Sequence, residues 1–501
     1  MRGCTLSLVV VLWCSVASAQ SPEPSATTAS ASKAQSAARA MDQGRFDEAA
    51  RLYRELVESI PDEGGLLMNL GMALAMGGHD HEAVAVLERA VTLKPGLIPA
   101  QMFLGSSYLA LGRAADAVGP LKRAVAAKPS DLESRRMLAQ AYVETGRPRE
   151  AVAQLRAVTD LAPKVPAGWY ALGHAYNAVT QEAMQSFTDQ PQDSPWRQLL
   201  VADALLADGR LTDAFALQRA ALERLPAMVS IHDSIARIYE LTQHPDWAAT
   251  ERSKGVLSPA ACARRKALCE FRAGRHRAAF AAAVAGADLE SRYWKVRAAT
   301  ELALDSFKRL EDLPDSRERR EVRATLAMAQ RRYTDAIAEL TAALTFAPKD
   351  PGLRDDLGTA YYSLREYEKA VDTFTPLLEA DPDDPRLLTL VGDSLLQLQR
   401  VDEALPLLRR AVERDQTDPM PRLALGRAYL QKGEFAPAIP LIEGQLGGDQ
   451  DGSLHVQLAR AYSALGEKQK AAALLEKSQE IQHAAQERSA AAGQRTIEAP
   501  K

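Results

Sequence analysis

Four absences shape the reading of this chain. Cysteine is scarce: there are four in 501 residues. Two of them, Cys4 and Cys14, fall in the first nineteen residues, so a processed chain would keep only Cys262 and Cys269. Charge of one sign is not in excess. The 61 Lys and Arg against 65 Asp and Glu give a formal net charge of −4, which argues against nucleic acid as the main partner, since that would call for a basic stripe. Long apolar runs are missing after the N-terminus. The stretch Leu6–Val16 is the longest, and it is too short to cross a bilayer comfortably, so no membrane span is expected in the mature chain. Motifs that carry chemistry are also missing. There is no H-E-x-x-H, no G-x-S-x-G and no G-x-x-x-x-G-K-[ST]. His79-Asp80-His81, followed by Glu82, comes nearest to a metal cluster, and its place in a turn reads as solvated polar surface. The expectation is therefore a non-enzyme with no cofactor and no metal.

What is present is a beat. Gly71, Gly105, Ala139 and Gly173 stand thirty-four residues apart, as do Ala83, Ala117 and Ala151, and Pro95, Pro129 and Pro163. The lattice returns at Gly358, Gly392 and Gly426, with Ala370, Ala404 and Ala438. A fixed period of this length specifies a stacked repeat array, whatever number of globular domains the length alone suggests. In residues 97–129 an apolar helix carries Met102, Phe103, Leu104, Gly105 and Tyr108. A turn follows at Gly112-Arg113, and a second helix carries Ala117, Leu121, Ala124 and Val125. Pro129 stops that helix because it lacks an N–H and clashes with the preceding turn. The small residues Gly105 and Ala117 let the two backbones approach. One pair cannot bury its own apolar face, so neighbours must stack.

The pattern resembles the tetratricopeptide repeat (TPR) family. Trp169-Tyr170-Ala171-Leu172-Gly173-His174-Ala175-Tyr176 reads as the family's W-x2-L-G-x2-Y first helix, and Ala370 with Phe374 reads as its A-x3-F second helix. The resemblance implies an all-α fold, an α-solenoid in which helix-turn-helix units form a right-handed superhelix. Here it would have an irregular central segment. Regular arms are expected at 35–179 and 317–480. Between them, over 180–316, the phase breaks: a Pro-rich loop runs from Asp189 to Trp196, and Tyr293-Trp294 with Ala303-x3-Phe307 and Pro314 stands off the lattice.

The ends carry their own signals. Arg2, the apolar Leu6–Val16 and the small residues Ala17-Ser18-Ala19 make residues 1–19 a signal peptide. Export to the periplasm or beyond is therefore expected. A lipid anchor on Cys14 would need a smaller residue than Trp13 before it. Residues 20–34, rich in Ser, Pro and Ala, read as a flexible linker. Residues 481–501 read as the end of a capping helix followed by a disordered tail. Two cysteines in an oxidising compartment suggest a disulfide, but seven residues along one helix amount to about 10 Å of rise, beyond the usual limit of about 7 Å between bridged Cα atoms. A Cys262–Cys269 bond thus requires Cys262 to sit outside the helix of Cys269. The alternative is two small buried hydrophobes.

The family's groove-lining positions, carried onto this sequence, imply a binding surface. In the N-terminal arm they give Met68, Met72 and Met76, spaced by four, then Met102, then Arg136 and Gln140, then Tyr170, His174 and Asn177. Methionine surfaces adapt to varied apolar partners, though Met68, Met72 and Met76 would equally pack beneath the N-terminal helices. In the C-terminal arm the positions give Asp355 and Tyr362, then Asp393, Arg427 and Arg460, a mixed charge that would orient a charged peptide or simply be solvated. The carboxylate-clamp subtype of the family does not fit, because Phe103 stands where a basic residue is needed after Asn69. The expected function is a non-enzymatic scaffold that holds a protein or extended peptide in a concave groove. Its rivals are an envelope or secretion assembly factor that binds through convex faces, and an enzyme-associated subunit with a site in the central segment. The oligomeric state is not legible.

Overall fold

The computed structural model describes residues 26–493 and 496–500. The expected signal peptide at 1–19 and residues 20–25 lie outside the described residues. Among the described residues all regular structure is helical, and no helix is long and apolar enough to cross a membrane. The chain divides into two compact units, Met1–Thr145 and Gly146–Lys501.

The first unit holds α1 (Ala26–Asp42), α2 (Phe46–Ser59), α3 (Gly64–Met76), α4 (Asp80–Leu93), α5 (Ile98–Ala110), α6 (Ala114–Ala127) and α7 (Leu132–Glu144). The expected linker is helical from Ala26 onward. Alanine is the best helix former, and Ala37 and Ala40 are fully buried, which makes α1 the first half of a packed pair. The pairing rule is visible between α3 and α4. A Cβ added to Gly71 would sit 2.4 Å from Leu87, and one on Gly105 the same distance from Leu121. Each small residue thus receives an anchor side chain sixteen residues downstream. The turn between the two helices needs a left-handed residue, and Gly78 (φ 80°) and Gly112 (φ 69°) supply it seven residues after Gly71 and Gly105.

The second unit opens with α8 (Pro148–Leu161) and α9 (Pro166–Gln185). It continues with α10 (Pro195–Ala207), α11 (Leu211–Arg224), α12 (Ser230–Leu241), α13 (Pro245–Lys254), α14 (Pro259–Arg264), α15 (Lys266–Arg272), α16 (His276–Val284) and α17 (Leu289–Glu311). It closes with α18 (Arg317–Ala329), α19 (Tyr333–Phe346), α20 (Pro351–Ser363), α21 (Tyr367–Ala380), α22 (Pro385–Gln397), α23 (Val401–Arg414), α24 (Pro419–Lys432), α25 (Phe435–Glu443), α26 (Ser453–Ala464) and α27 (Lys468–Gly493). The regular rule holds at Gly358 with Phe374 (2.5 Å) and Gly392 with Leu408 (2.7 Å).

The central irregularity has a simple cause. The anchor received by Gly173 on α9 is Phe307 on α17, at 2.4 Å, so the unit begun by α9 is completed by a helix far downstream. Instead of turning seven residues after Gly173, α9 runs on to Gln185. The helices between are an insertion within a single repeat. They keep the local lattice: Ala202 and Ala214, then Ala236 and Ala248, are fully or almost fully buried, with left-handed turns at Gly209 (φ 74°) and Gln243 (φ 63°). The N-terminal end of α17 belongs to the insertion, where Tyr293 and Trp294 join its apolar core. The C-terminal end belongs to the arm. Residues expected to be a disordered tail are ordered in two places: α27 extends to Gly493, and Ile497 packs against the insertion's core.

Candidate functional site

In the second unit, the inner faces of α9, α18, α20 and α22 place charged and aromatic groups side by side. Tyr170 lies under the influence of Glu321 on α18 and Asp356 on α20. Burial, then the hydrogen bond to Glu321, raises its phenol above the ordinary value. Burial also raises the Asp356 carboxyl, and the neighbouring Asp355, Glu321 and Asp350 add to the shift. Two arginines answer these acids. Arg317 bonds Glu321 at 2.6 Å and Asp350 at 2.9 Å, and Arg386 pairs with Asp355. Further along, the Tyr362 hydroxyl donates to Asp393 Oδ2 at 2.6 Å. Burial and that carboxylate push the phenol up, and Arg427 opposes them. Asp393 is buried, and its Oδ1 has no hydrogen-bond partner.

The implied groove residues therefore fare differently. Tyr170, His174, Asp355, Tyr362, Asp393 and Arg427 come together along one wall. His174 lies between the Tyr170 ring (4.4 Å) and the anchor Phe307 (5.5 Å). Asn177 on α9 and Arg460 on α26 are exposed. Tyr170, His174 and Asn177 belong to the second unit with α9, not to the compact unit that holds the methionines. In the first unit, Met68, Met72 and Met102 are half-buried and Met76 is 46% exposed. Arg136 is engaged by Glu133 and Gln140 by Glu144, both within α7. His79 bonds Asp47 at 2.8 Å, and among the described residues no group of three or more His, Cys, Asp or Glu is placed to hold a metal ion. Glu321, Arg317 and Asp356 were not read from the sequence. The signal for the first was available: Ala324 stands thirty-four residues before Gly358, which puts Glu321 at the same repeat position as Tyr170 and Asp355.

The insertion carries two further features. Its helix breaks at Arg265 (φ −115°, ψ 54°), between α14 and α15. The break brings the Cα atoms of Cys262 and Cys269 to 5.6 Å, and the two sulfurs are joined as a disulfide. A cleft of about 500 Å³ between α9, α10, α12 and α17 is lined by Thr180, Asp203, Arg237, Arg297 and Glu301, among others. Two of its charges pair directly. Arg297 bonds Asp203 at 3.0 Å, and Tyr293 donates to the same carboxylate at 2.9 Å. The residues described around the cleft include no cysteine or histidine. Arg297, Asp203 and Tyr293 make one hydrogen-bonded ion-pair cluster on its wall.

The family matches fall on the two arms. The tetratricopeptide repeat family matches residues 35–98 and 356–419, 108–175 and 395–454, and 452–483. No curated protein matches the chain. Among solved structures, MamA 41-end from Desulfovibrio magneticus RS-1 is 22% identical, with a TM-score of 0.28, over 32% of this chain and 97% of that one. A MamA RS-1 double mutant is 21% identical, with a TM-score of 0.29, over 38% and 95%. A further MamA crystal structure is 19% identical, with a TM-score of 0.29, over 39% and 92%. The family's members are typically non-enzymatic. With its matches spread over both arms and its Gly–anchor contacts repeated along the fold, the chain belongs to the tetratricopeptide repeat family and is, in general terms, a protein-interaction scaffold.

Proposed function

We propose that the inner faces of α9, α18, α20 and α22 bind an extended peptide rich in basic residues. The observation that carries this reading is the convergence of Glu321, Asp350, Asp355 and Asp356 beside Tyr170, answered by Arg317 and Arg386. A carboxylate whose ionisation is opposed by acidic neighbours gains most from an incoming cation. Tyr170 and Tyr362 add flat apolar surface with polar tips, which suits recognition at low entropic cost. The rigid helices hold these groups in place before the partner arrives. From the leader at 1–19 and the disulfide we infer that this happens outside the cytoplasm, in the periplasm or beyond.

The test uses fluorescence anisotropy with labelled extended peptides of equal length, one Lys/Arg-rich and one Asp/Glu-rich, against the full chain. The basic peptide should bind more tightly, and Glu321→Gln with Asp356→Asn should weaken it about tenfold and flatten its salt dependence. Equal binding of both peptides, or no effect of the double substitution, overturns the reading. Cell fractionation tests the location: recovery of the unprocessed chain in the cytoplasm refutes it.

A further inference from the structure

The described tail, residues 496–500, lies against the insertion, and the way it is held is out of pattern. Tyr239 on α12 is fully buried, and its hydroxyl donates to the main-chain carbonyl of Glu498 at 2.7 Å. Tyr239 stands three residues after Ala236, as Tyr108 stands after Gly105 and Tyr429 after Gly426. In those units the hydroxyl meets a side chain twenty residues upstream: Tyr108 donates to Glu88, and Tyr429 accepts from Arg409. The corresponding residue in the insertion is Arg219, and Tyr239 bonds the tail instead.

The surroundings of that bond form a slot. Phe215 flanks the Tyr239 ring at 5.7 Å, and Trp247 meets it edge-on at 5.6 Å. Trp247 is itself stacked on His244 at 4.0 Å. Ile497 is half-buried against this cluster, while Thr496, Glu498 and Ala499 are exposed. A hydrogen bond to a main-chain carbonyl tolerates any sequence, whereas an apolar slot for one side chain selects. Extended peptides are commonly read by that combination.

We propose that the insertion holds a peptide-binding site separate from the groove of the arms. It takes an extended segment with an aliphatic residue one position before the gripped carbonyl, and its resident ligand is the chain's own C-terminal tail. Tethering gives such a tail an effective concentration on the order of millimolar, so a partner segment of the same chemistry gains entry only by displacing it. The site requires nothing of Glu321 or Asp356, so it stands or falls apart from the groove reading.

The test uses the full chain and a fluorescent peptide copying residues 489–501. Ile497→Asp in the chain frees the slot without touching the helical core, so the fold is not at risk. The peptide should bind the I497D chain at least tenfold more tightly than the wild type, and hydrogen exchange should rise over residues 235–250. Adding Tyr239→Phe to I497D should cost three- to tenfold in affinity, the worth of one neutral hydrogen bond. A peptide that itself carries I497D should not bind. Equal binding to wild type and I497D, or binding to neither, overturns the proposal. A wild-type chain that sediments as a dimer and an I497D chain that sediments as a monomer would assign the tail to a second copy and overturn the intramolecular assignment.

Discussion

The unit of Gly358 and Phe374 and the unit of Gly173 and Phe307 make the same contact, with the added Cβ at 2.5 and 2.4 Å. In the first, the partners are sixteen residues apart. In the second, a whole run of helices intervenes. The comparison shows that this repeat is a unit of packing and not of continuous chain. A glycine that admits an aromatic ring, with a small residue four before that ring, is enough to close a pair, provided both helices are presented in register. It also separates two kinds of irregularity: the arms on either side remain regular, and the insertion has its own core and its own turns.

Breaking the anchors gives the largest effect. Phe374, fully buried, should cost about 3–5 kcal/mol on truncation to alanine. Phe307 is half-buried, and Phe307→Ala should cost roughly 2–3 kcal/mol by the same reasoning. Hydrogen exchange of α20 and α21 in one variant, and of α9 and α17 in the other, reads each loss locally, as a repeat array requires. If α9 and α17 are indifferent to Phe307→Ala, the two helices are not one unit.

The next effect belongs to the insertion alone. Replacing Cys262 and Cys269 with serine should lower the local stability of α14–α16 by about 2 kcal/mol, the chain-entropy value for a short loop. The regular pair α20 and α21 should be unmoved. Intact mass with and without reductant establishes whether the bond is present in the isolated protein.

A smaller effect comes from the helix starts. Asp288 Oδ1 accepts from Ser291 N at 2.9 Å at the head of α17, and Asp384 caps α22 through Leu387 N at 3.1 Å. Either aspartate replaced by alanine should cost about 1 kcal/mol. The bond from Ser291 holds the Asp288 carboxyl below its ordinary value. A depressed folded-state pKa contributes stability above the unfolded value of about 4, and that stability is lost as the pH falls through the folded value. Exchange near the start of α17 should therefore rise in acid, and Asp288→Ala should abolish the rise.

The smallest effect is the most demanding. If the insertion is a guest, replacing residues 180–299 with a short turn like that at residues 77–79 should leave exchange in α20–α25 as it was. The tail should be released at the same time. Loss of protection in α20–α25 would show that the insertion supports the arm.

The arms were legible because their evidence is local: Gly, anchor and turn lie within one window, and a fixed period exposes them. The pairing of Gly173 with Phe307 was only half legible. Ala303 and Phe307 were visible as a second-helix pattern, but nothing in a linear sequence points from there back to Gly173. The inner lattice of the insertion was hidden because Ala202 and Ala236 replace glycine and Gln243 replaces the turn glycine. The acidic wall was partly read, through Asp355 and Asp393. Glu321 escaped because its unit marks the small position with Ala324. The tail misled because its composition is that of a linker, and a single isoleucine among polar residues carries little weight until a slot for it is seen.

The split unit also sets a timetable for synthesis. The face of α9 around Gly173 leaves the ribosome well before Phe307 exists. At elongation rates of about 5–20 residues per second, the wait is on the order of ten seconds. Helices α10–α16 emerge during that interval, so most of the guest can begin to pack while its host is still missing half of a repeat.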